Sequence, residues 1–265
     1  MAWLRLSVLA MLGVLGLSAH ADVTLPPCPK AFTSPGGQWR LVIVPGGSAG
    51  FELCRRDEIQ LGRGRPRSWS RARGALEHLR QGRWQSVWQA WLSDESPSKA
   101  VVSDDGRAAT FDRSGLGDSV VVLYDHQGHE ARRLALTDFV PKPYVYVLPH
   151  SLSGIHWGGA HAFSSNGEQL ILQIMIPTAD VDALTAENPP KYAGLVIDAR
   201  TGSVLSHQSA VWEEAQRVAS RVLAIRCVEK REEDEVYFGR GGLDALGACG
   251  SPQSPDVAFD PRHTN

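Results

Sequence analysis

The sequence predicts a mainly β protein built from antiparallel four-stranded meanders, with two or three accessory α-helices. Two observations predict this fold class. Between Ala100 and Leu134, short apolar runs alternate with Asp-Gly and Asp-x-x-Gly turns, the pattern of strands joined by tight hairpins. Both kinds of turn then recur in other parts of the chain. The recurrence indicates that one four-stranded unit is used more than once.

The chain begins with the features of a cleavable signal peptide. Arg5 precedes the apolar stretch Leu6–Leu17, and Ser18-Ala19-His20-Ala21 supplies the small residues that a signal peptidase needs. The apolar stretch is short for a bilayer span, and no later stretch is apolar enough to cross a membrane. We therefore predict that residues 1–21 are removed after Ala21 and that the mature protein is periplasmic or secreted.

The rest of the chain is predicted to hold one domain and a tail. Residues 22–250 form a single β-rich domain, and the Pro- and polar-rich residues 251–265 form a disordered C-terminal tail. The chain has 27 Lys and Arg against 29 Asp and Glu, a formal net charge of −2. That balance gives no argument for a nucleic-acid partner. No motif indicates a cofactor, and the oligomeric state stays open.

Four cysteines are present, an even number that suits disulfide bonds in an oxidising compartment. Three connectivities are possible. We predict Cys28–Cys54 and Cys227–Cys249, because each pair brackets one short segment near one end of the chain. Catalytic or metal-binding thiols favour closer spacing, such as Cys-x-x-Cys, which the sequence lacks.

Ahead of the central unit, the sequence predicts a strand and two helices. Gln38–Val44 is rich in β-branched residues and predicts a strand. Ser70–Gln81 is assigned to a short helix. A second helix with one aromatic face is predicted from apolar residues at helical spacing, which are Trp84, Val87, Trp88, Trp91 and Leu92.

The repeated turns define the meander. Ser103-Asp104-Asp105-Gly106 leads into a strand, as Ser34-Pro35-Gly36-Gly37 does earlier and Ser164-Ser165-Asn166-Gly167 does later. The second turn, Asp125-His126-Gln127-Gly128, is matched by a turn that begins at Asp198 and ends at Gly202. Glycine supplies positive φ in such turns, and an Asp side chain accepts hydrogen bonds from the turn amides. The unit is therefore two hairpins joined by a loop.

On these residues, the chain resembles TolB-type and related β-propeller repeats of secreted bacterial proteins. The stretch from Trp88 to Leu134 is also similar to uncharacterised bacterial proteins that share Ser-Asp-Asp-Gly-Arg, Thr-Phe-Asp and Val-Val-Val-x-Tyr segments. The resemblance implies a propeller-like arrangement of the sheets and carries no catalytic residue. The turn glycines 37, 106 and 167 lie 69 and 61 residues apart, whereas propeller blades recur at about 40–50 residues. Whether the repeats close into a ring or stay open is therefore left undecided.

After the second Asp-x-x-Gly turn, Ser209–Ile225 is predicted to be a helix. Its apolar residues recur at helical spacing, and Glu213 and Glu214 lie near its N-terminus, where negative charge is favourable.

An Arg-rich segment is the strongest candidate for a binding surface. Residues 55–83 contain nine Arg against three acidic residues. Clustered guanidinium groups bind phosphate or carboxylate, so an anionic glycan or an acidic envelope protein is the predicted partner. The competing interpretation is a solvated surface. The candidate binding residues in this segment are Arg63, Arg65, Arg67 and Arg71.

Two loops supply further candidates. His150, His156 and His161 lie in one Gly-rich segment, but their spacing is not that of the usual zinc motifs, so core or turn histidines are the competing interpretation. Asp112 and Asp118 lie outside the repeated turns, which leaves them without a role in turn geometry. We include His156, His161, Asp112 and Asp118 among the candidate binding residues.

The leading functional prediction is a non-catalytic binding or scaffolding module of the cell envelope. The alternative is a hydrolase whose site lies in the loops His150–His161 and Asp112–Asp118. The Gly-x-Ser-x-Gly match at Gly46–Gly50 does not support a hydrolase, because its Ser48 is predicted to lie in a hairpin loop rather than at a strand-to-helix turn.

Overall fold

The structure is a computed structural model that describes residues 28–46, 71–92, 97, 99–112, 115, 117–151, 154–178, 188–207 and 209–233. A short 3-10 helix spans Leu136–Asp138, and the helices are α1 (Lys142–Val147) and α2 (Ser209–Glu233). The strands are β1 (Lys30–Thr33), β2 (Trp39–Val44), β3 (Arg73–Arg80), β4 (Arg83–Trp91), β5 (Lys99–Val102), β6 (Ala108–Phe111), β7 (Val121–Tyr124), β8 (Glu130–Leu134), β9 (His150–Ser151), β10 (Gly154–Ile155), β11 (Ala162–Phe163), β12 (Gln169–Met175), β13 (Tyr192–Asp198) and β14 (Val204–His207).

The strands form three four-stranded antiparallel meanders. Sheet 1 has the order β1-β2-β3-β4, sheet 2 the order β5-β6-β7-β8 and sheet 3 the order β11-β12-β13-β14. A two-stranded ribbon, β9 with β10, lies between sheets 2 and 3 in the sequence. The predicted fold class, mainly β with four-stranded antiparallel meanders, is confirmed. The predicted central unit corresponds to sheet 2, with its turns at the expected residues.

The inner strands of sheet 2, β6 and β7, are buried on both faces because they separate two hydrophobic cores. Val122 points with Ala108 into a core shared with Leu41 and Leu76 of sheet 1. The next residue along β7, Leu123, points to the opposite side, into a core shared with sheet 3 and the helices. Successive side chains of a strand point to opposite faces. The continuous apolar runs of β6 and β7 therefore fill both cores at once.

The first strands of the three sheets lie side by side, as the inner strands of propeller blades do. β5 contacts β1 on one side and β11 on the other. The turns that follow these strands are also joined: the Gly36 amide donates to Asp104 Oδ1 at 2.7 Å, and Arg107 Nη1 donates to the Gly167 carbonyl at 2.9 Å. The arrangement is propeller-like. The described residues contain three such sheets, and complete propellers have about four to eight.

Helix α2 confirms the predicted helix and extends it to Glu233. Its buried side recurs at helical spacing and joins the core of sheet 3 through Trp212, Ala215, Ala219 and Val222. The Trp212 ring stacks on Tyr144 of α1 with centroids 5.3 Å apart. Among the described residues, neither helix has both the length and the apolarity that a membrane-spanning helix requires.

The two helices predicted for Ser70–Gln81 and Trp84–Leu92 are wrong. Residues 73–80 and 83–91 are instead the hairpin β3–β4 of sheet 1. Its two-residue turn is Gln81-Gly82, with φ of 51° and 72°, the positive values that tight hairpin turns require. β3 also pairs with β2 on its other side and is therefore a central strand of sheet 1. This pairing overrides a local sequence that also suits a helix.

Several predictions fall on residues that the structure does not describe. The signal peptide, residues 1–21, and the tail, residues 251–265, are among them, as are Cys54 and Cys249. Neither Cys28 nor Cys227 is a free thiol. The connectivity Cys28–Cys54 and Cys227–Cys249 stays a prediction.

Candidate functional site

The aspartates of the repeated turns accept hydrogen bonds from backbone amides. Asp125 Oδ1 accepts hydrogen bonds from the amides of Gln127 at 2.8 Å and His129 at 2.9 Å. Partial burial opposes ionisation of Asp125, but these hydrogen bonds outweigh it and the pKa of Asp125 is lowered. Asp198 accepts from the amides of Thr201 and Arg200 in the same way, chiefly from Thr201, and its pKa is also lowered. Both carboxylates stabilise turns.

Asp104 and Asp105 have different partners although they are adjacent. Asp105 accepts from the Ser103 hydroxyl within its own turn and lies 3.1 Å from Arg107 Nη1. Asp104 instead accepts from the amide of Gly36, which belongs to the equivalent turn of sheet 1. Asp104 therefore joins two sheets, which turn chemistry within one sheet does not predict.

The two candidate aspartates of the loop between β6 and β7 have contrasting environments. The Asp112 carbonyl accepts a hydrogen bond from Trp157 Nε1 at 3.2 Å, and its amide donates to Val120 at 3.0 Å. The Asp118 side chain is 80% exposed, accepts from the Ser119 hydroxyl at 2.9 Å and lies 3.8 Å from Arg133 Nη1. Asp118 thus forms a surface ion pair with β8, while the backbone of Asp112 supports the aromatic residue behind it.

The candidate histidines do not form a common site among the described side chains. The side chain of His150 lies outside the described set, and His156 is exposed, with its amide donating to the Pro149 carbonyl at 2.7 Å. His161 is largely buried and contacts two rings: the Phe111 centroid lies 4.3 Å away and the Trp157 centroid 5.0 Å away. No group of three or more His, Cys, Asp or Glu suited to a metal ion occurs among the residues described.

His161 is held in its neutral form by its surroundings. Burial, with a smaller contribution from the positive charge of Lys99, lowers its pKa to about 3. Nδ1 accepts a hydrogen bond from the Gln173 amide at 3.3 Å, which places the proton of the neutral ring on Nε2. Lys99 is itself anchored, because its Nζ donates to the Gly159 carbonyl at 3.2 Å. His161 therefore packs as an aromatic core residue.

The Arg-rich segment is described only in part. Arg63, Arg65 and Arg67 lie outside the described residues, so their candidate role stays a prediction. Arg71 is exposed, and its Nε donates to the Leu92 carbonyl at 2.9 Å, beside the end of β4. Arg73, which the sequence analysis did not select, lies next to it, as does Trp91, for which the predicted helical spacing favoured a buried face over one that stacks on sugars. The available signal for Arg73 was its spacing from Arg71 at the start of a strand, because residues two apart in a strand point to the same face.

Arg73 and Trp91 lie directly opposite each other on β3 and β4, so both point to the outer face of sheet 1. The Arg73 guanidinium donates to the side-chain oxygen of Gln89 on the same face. Trp91 is 51% exposed. We name these residues, Arg71, Arg73, Gln89 and Trp91, the Arg-Trp corner.

The charge of sheet 1 differs from that of sheet 2. Residues 28–46 and 71–92 contain six basic residues, Lys30, Arg40, Arg71, Arg73, Arg80 and Arg83, and one acidic residue, Glu77. The described residues of sheet 2 and its loops, from 99 to 134, contain four basic and six acidic residues. Sheet 1 is therefore a basic surface on a chain of nearly balanced charge.

Comparison with known proteins assigns no family. No protein-family model matches the chain, and no curated protein matches it. A solved structure that it resembles is the periplasmic gluconolactonase PpgL of Pseudomonas aeruginosa, with 15% identity and a TM-score of 0.32 over 68% of this chain and 56% of that chain. The chain thus spans about half the length of that protein. At this TM-score the likeness is too weak to assign an activity.

Proposed function

We propose that the protein is a non-catalytic binding module of the cell envelope, and that the basic sheet 1 binds an anionic partner. The observation that carries the proposal is the six-to-one excess of basic residues in the described part of sheet 1. A surface that concentrates one sign of charge attracts ligands of the opposite sign. The envelope location rests on the predicted signal peptide.

Two of the candidate groups, His161 and Asp118, have environments that do not suit a general base. A general base needs a pKa near the working pH and access to the substrate. The pKa of His161, about 3, is too low for that role, and its Nδ1 is engaged by the backbone. Asp118 is an exposed partner of Arg133. The hydrolase alternative, with a site at these loops, has no support from these residues.

The proposal is tested by retention of the mature chain on dextran sulfate beads at low and high salt. Screening weakens exposed charge interactions as the Debye length falls from about 10 Å at 0.1 M salt to about 3 Å at 1 M. We expect retention at 0.1 M and release at 1 M. A variant with Arg71→Gln, Arg73→Gln, Arg80→Gln and Arg83→Gln is expected to lose retention.

A matched control removes four exposed positive charges elsewhere. It carries Lys142→Gln, Lys191→Gln, Arg217→Gln and Arg221→Gln, which lie in or beside α1, β13 and α2. We expect the control to bind as the wild type does. Equal retention of both variants would show that the basic character of sheet 1 is not used, and the proposal would fail.

A further inference from the structure

We propose that the Arg-Trp corner binds a carboxylated sugar unit of an acidic polysaccharide. This inference rests on the proposed function, because it assigns a ligand class and a position to the anion-binding surface.

The corner presents two guanidinium groups that are already positioned. Arg73 is held by the side-chain oxygen of Gln89, and Arg71 by the carbonyl of Leu92. A guanidinium that is fixed before binding loses less conformational freedom when it meets its ligand. Each group keeps further N–H donors beyond the one that is engaged. Carboxylates suit these donors, because a planar guanidinium can bind both carboxylate oxygens at once.

At the other end of the same face, the charge of Arg40 is neutralised within the protein. The Arg40 guanidinium lies 4.3 Å from the centroid of the Trp84 ring and pairs with Glu77 Oε2 at 2.6 Å. Its positive charge is thus balanced by an internal carboxylate. Glu77 is the single acidic residue in the described part of sheet 1, and this ion pair engages it. Among the described residues, no ion pair engages Arg71 or Arg73, and we assign the balancing negative charge to the ligand.

The exposed indole of Trp91 favours a sugar over a polyanion without rings as the ligand. Its side chain is 51% exposed at the end of β4, directly opposite Arg73. Directly opposite residues have Cβ atoms about 5 Å apart, so one ligand unit spans the indole and the guanidinium. The apolar side of a pyranose ring packs on the flat indole, while its carboxylate meets the arginines. An acidic peptide or a phosphate would use the arginines alone.

The test measures binding of a short oligogalacturonide to the full mature chain by calorimetry. Two comparison ligands are used: the methyl-esterified oligogalacturonide, which keeps the rings and loses the charge, and polyglutamate, which keeps the charge and lacks the rings. We expect the wild type to bind the oligogalacturonide at least about tenfold more tightly than either, a difference of about 1.4 kcal/mol.

Four variants locate the site. Arg73→Gln and Trp91→Ala are each expected to weaken oligogalacturonide binding by about fivefold or more, since central aromatic and Arg residues dominate binding. Lys142→Gln removes one exposed positive charge from α1, outside sheet 1, and Val87→Ala truncates another exposed apolar residue of β4. Both controls should bind within about twofold of the wild type. Circular dichroism verifies that every variant is folded.

The outcomes separate the two proposals. If dextran sulfate retention follows the charge of sheet 1 but Trp91→Ala leaves oligogalacturonide binding unchanged, the sugar site is refuted and the anion-binding function stands. Equal affinity for polyglutamate and the oligogalacturonide also refutes the sugar site and points to an acidic protein. If neither ligand binds and dextran sulfate is not retained, both proposals fail.

Discussion

The imidazole of His161 stabilises the folded chain only while it is uncharged. Its ring stacks on Phe111 and on Trp157, and Nδ1 accepts a hydrogen bond from the Gln173 amide. Protonation would turn that acceptor into a donor and would place a positive charge near Lys99. Burial lowers the pKa of His161 to about 3 in the folded state, whereas an unfolded histidine titrates near its ordinary 6.5.

The sign of the resulting pH dependence follows from proton binding. Between pH 6.5 and 3 the unfolded state holds a proton at His161 that the folded state lacks, so the free energy of unfolding falls as the pH falls. From pH 7 to pH 4 we expect a loss of about 3 kcal/mol from this residue. Urea denaturation at both pH values measures it.

His161→Phe separates this contribution from other acid effects. The variant retains an aromatic ring beside Phe111 and Trp157 but removes the acceptor for the Gln173 amide, at a cost of about 1–3 kcal/mol at pH 7. Between pH 7 and pH 4, the free energy of unfolding of this variant should fall by about 3 kcal/mol less than that of the wild type. The exposed His156, changed to Gln, is the control and should retain the wild-type pH dependence. An unaltered pH dependence in His161→Phe would contradict the neutral, buried state.

At the scale of elements, the equivalent turns of the three sheets differ in how closely they approach each other. Gly167 has φ of 71°, and a Cβ there would lie 2.5 Å from Asp105 Oδ1. Asp105 is itself held by Ser103 and Arg107, so it does not move aside without losing those contacts. Gly37, at the equivalent position of the first turn, has the same φ of 71° and no heavy atom within 4 Å.

These two glycines form a matched pair for mutation. Gly37→Ala is expected to cost about 1–2 kcal/mol, from positive φ alone. Gly167→Ala is expected to cost about 1–3 kcal/mol more, because it also disturbs the buried contacts between sheets 2 and 3. Chemical denaturation compares the two. Equal losses would show that the contact between the turns of sheets 2 and 3 adds no stability.

The elements that sequence predicts well are those whose local signals agree with their tertiary setting. In sheet 2, the apolar runs and the Asp and Gly residues of the turns specify the same hairpins that the structure contains. In β4, the helical spacing of Trp84, Trp88 and Trp91 misled, because the ladder is bulged next to Glu77. The bulge shifts the alternation, so that Trp88 faces the core while Trp84 and Trp91 face outward.

The candidate site was less predictable than the fold. The abundance of Arg in residues 55–83 predicts a basic surface, but Gln89 and Trp91 join Arg71 and Arg73 only through the pairing of β3 with β4. That pairing depends on contacts between separate parts of the chain. Similarly, nothing local to the His150–His161 segment shows that His161 stacks on Phe111, since Phe111 belongs to a different sheet.

At the scale of the whole molecule, sheet 2 couples the two cores. Val122→Ala removes volume from the core shared with sheet 1, and Leu123→Ala removes it from the core shared with sheet 3. We expect losses of about 1–3 kcal/mol and 2–5 kcal/mol, respectively. Because the same strand bounds both cores, each variant should lower one common unfolding transition, seen alike by tryptophan fluorescence and circular dichroism.

The control is Leu205→Ala on β14, where the side chain is 51% exposed and the expected change is within about 0.5 kcal/mol. Two separate transitions, one sensitive to Val122→Ala and the other to Leu123→Ala, would show instead that the cores unfold independently.

The central position of β6 and β7 also predicts the order in which the backbone amides of the strands take up deuterium. Both strands lie in the interior of sheet 2, and nearly all their side chains are fully buried, so water reaches their amides only when both cores open. Amides of core strands exchange through the largest openings, while those of edge strands exchange through local fraying. Residues 108–111 and 121–124 should therefore retain their hydrogens longest, and β1 and β14, at the sheet edges, should exchange much earlier.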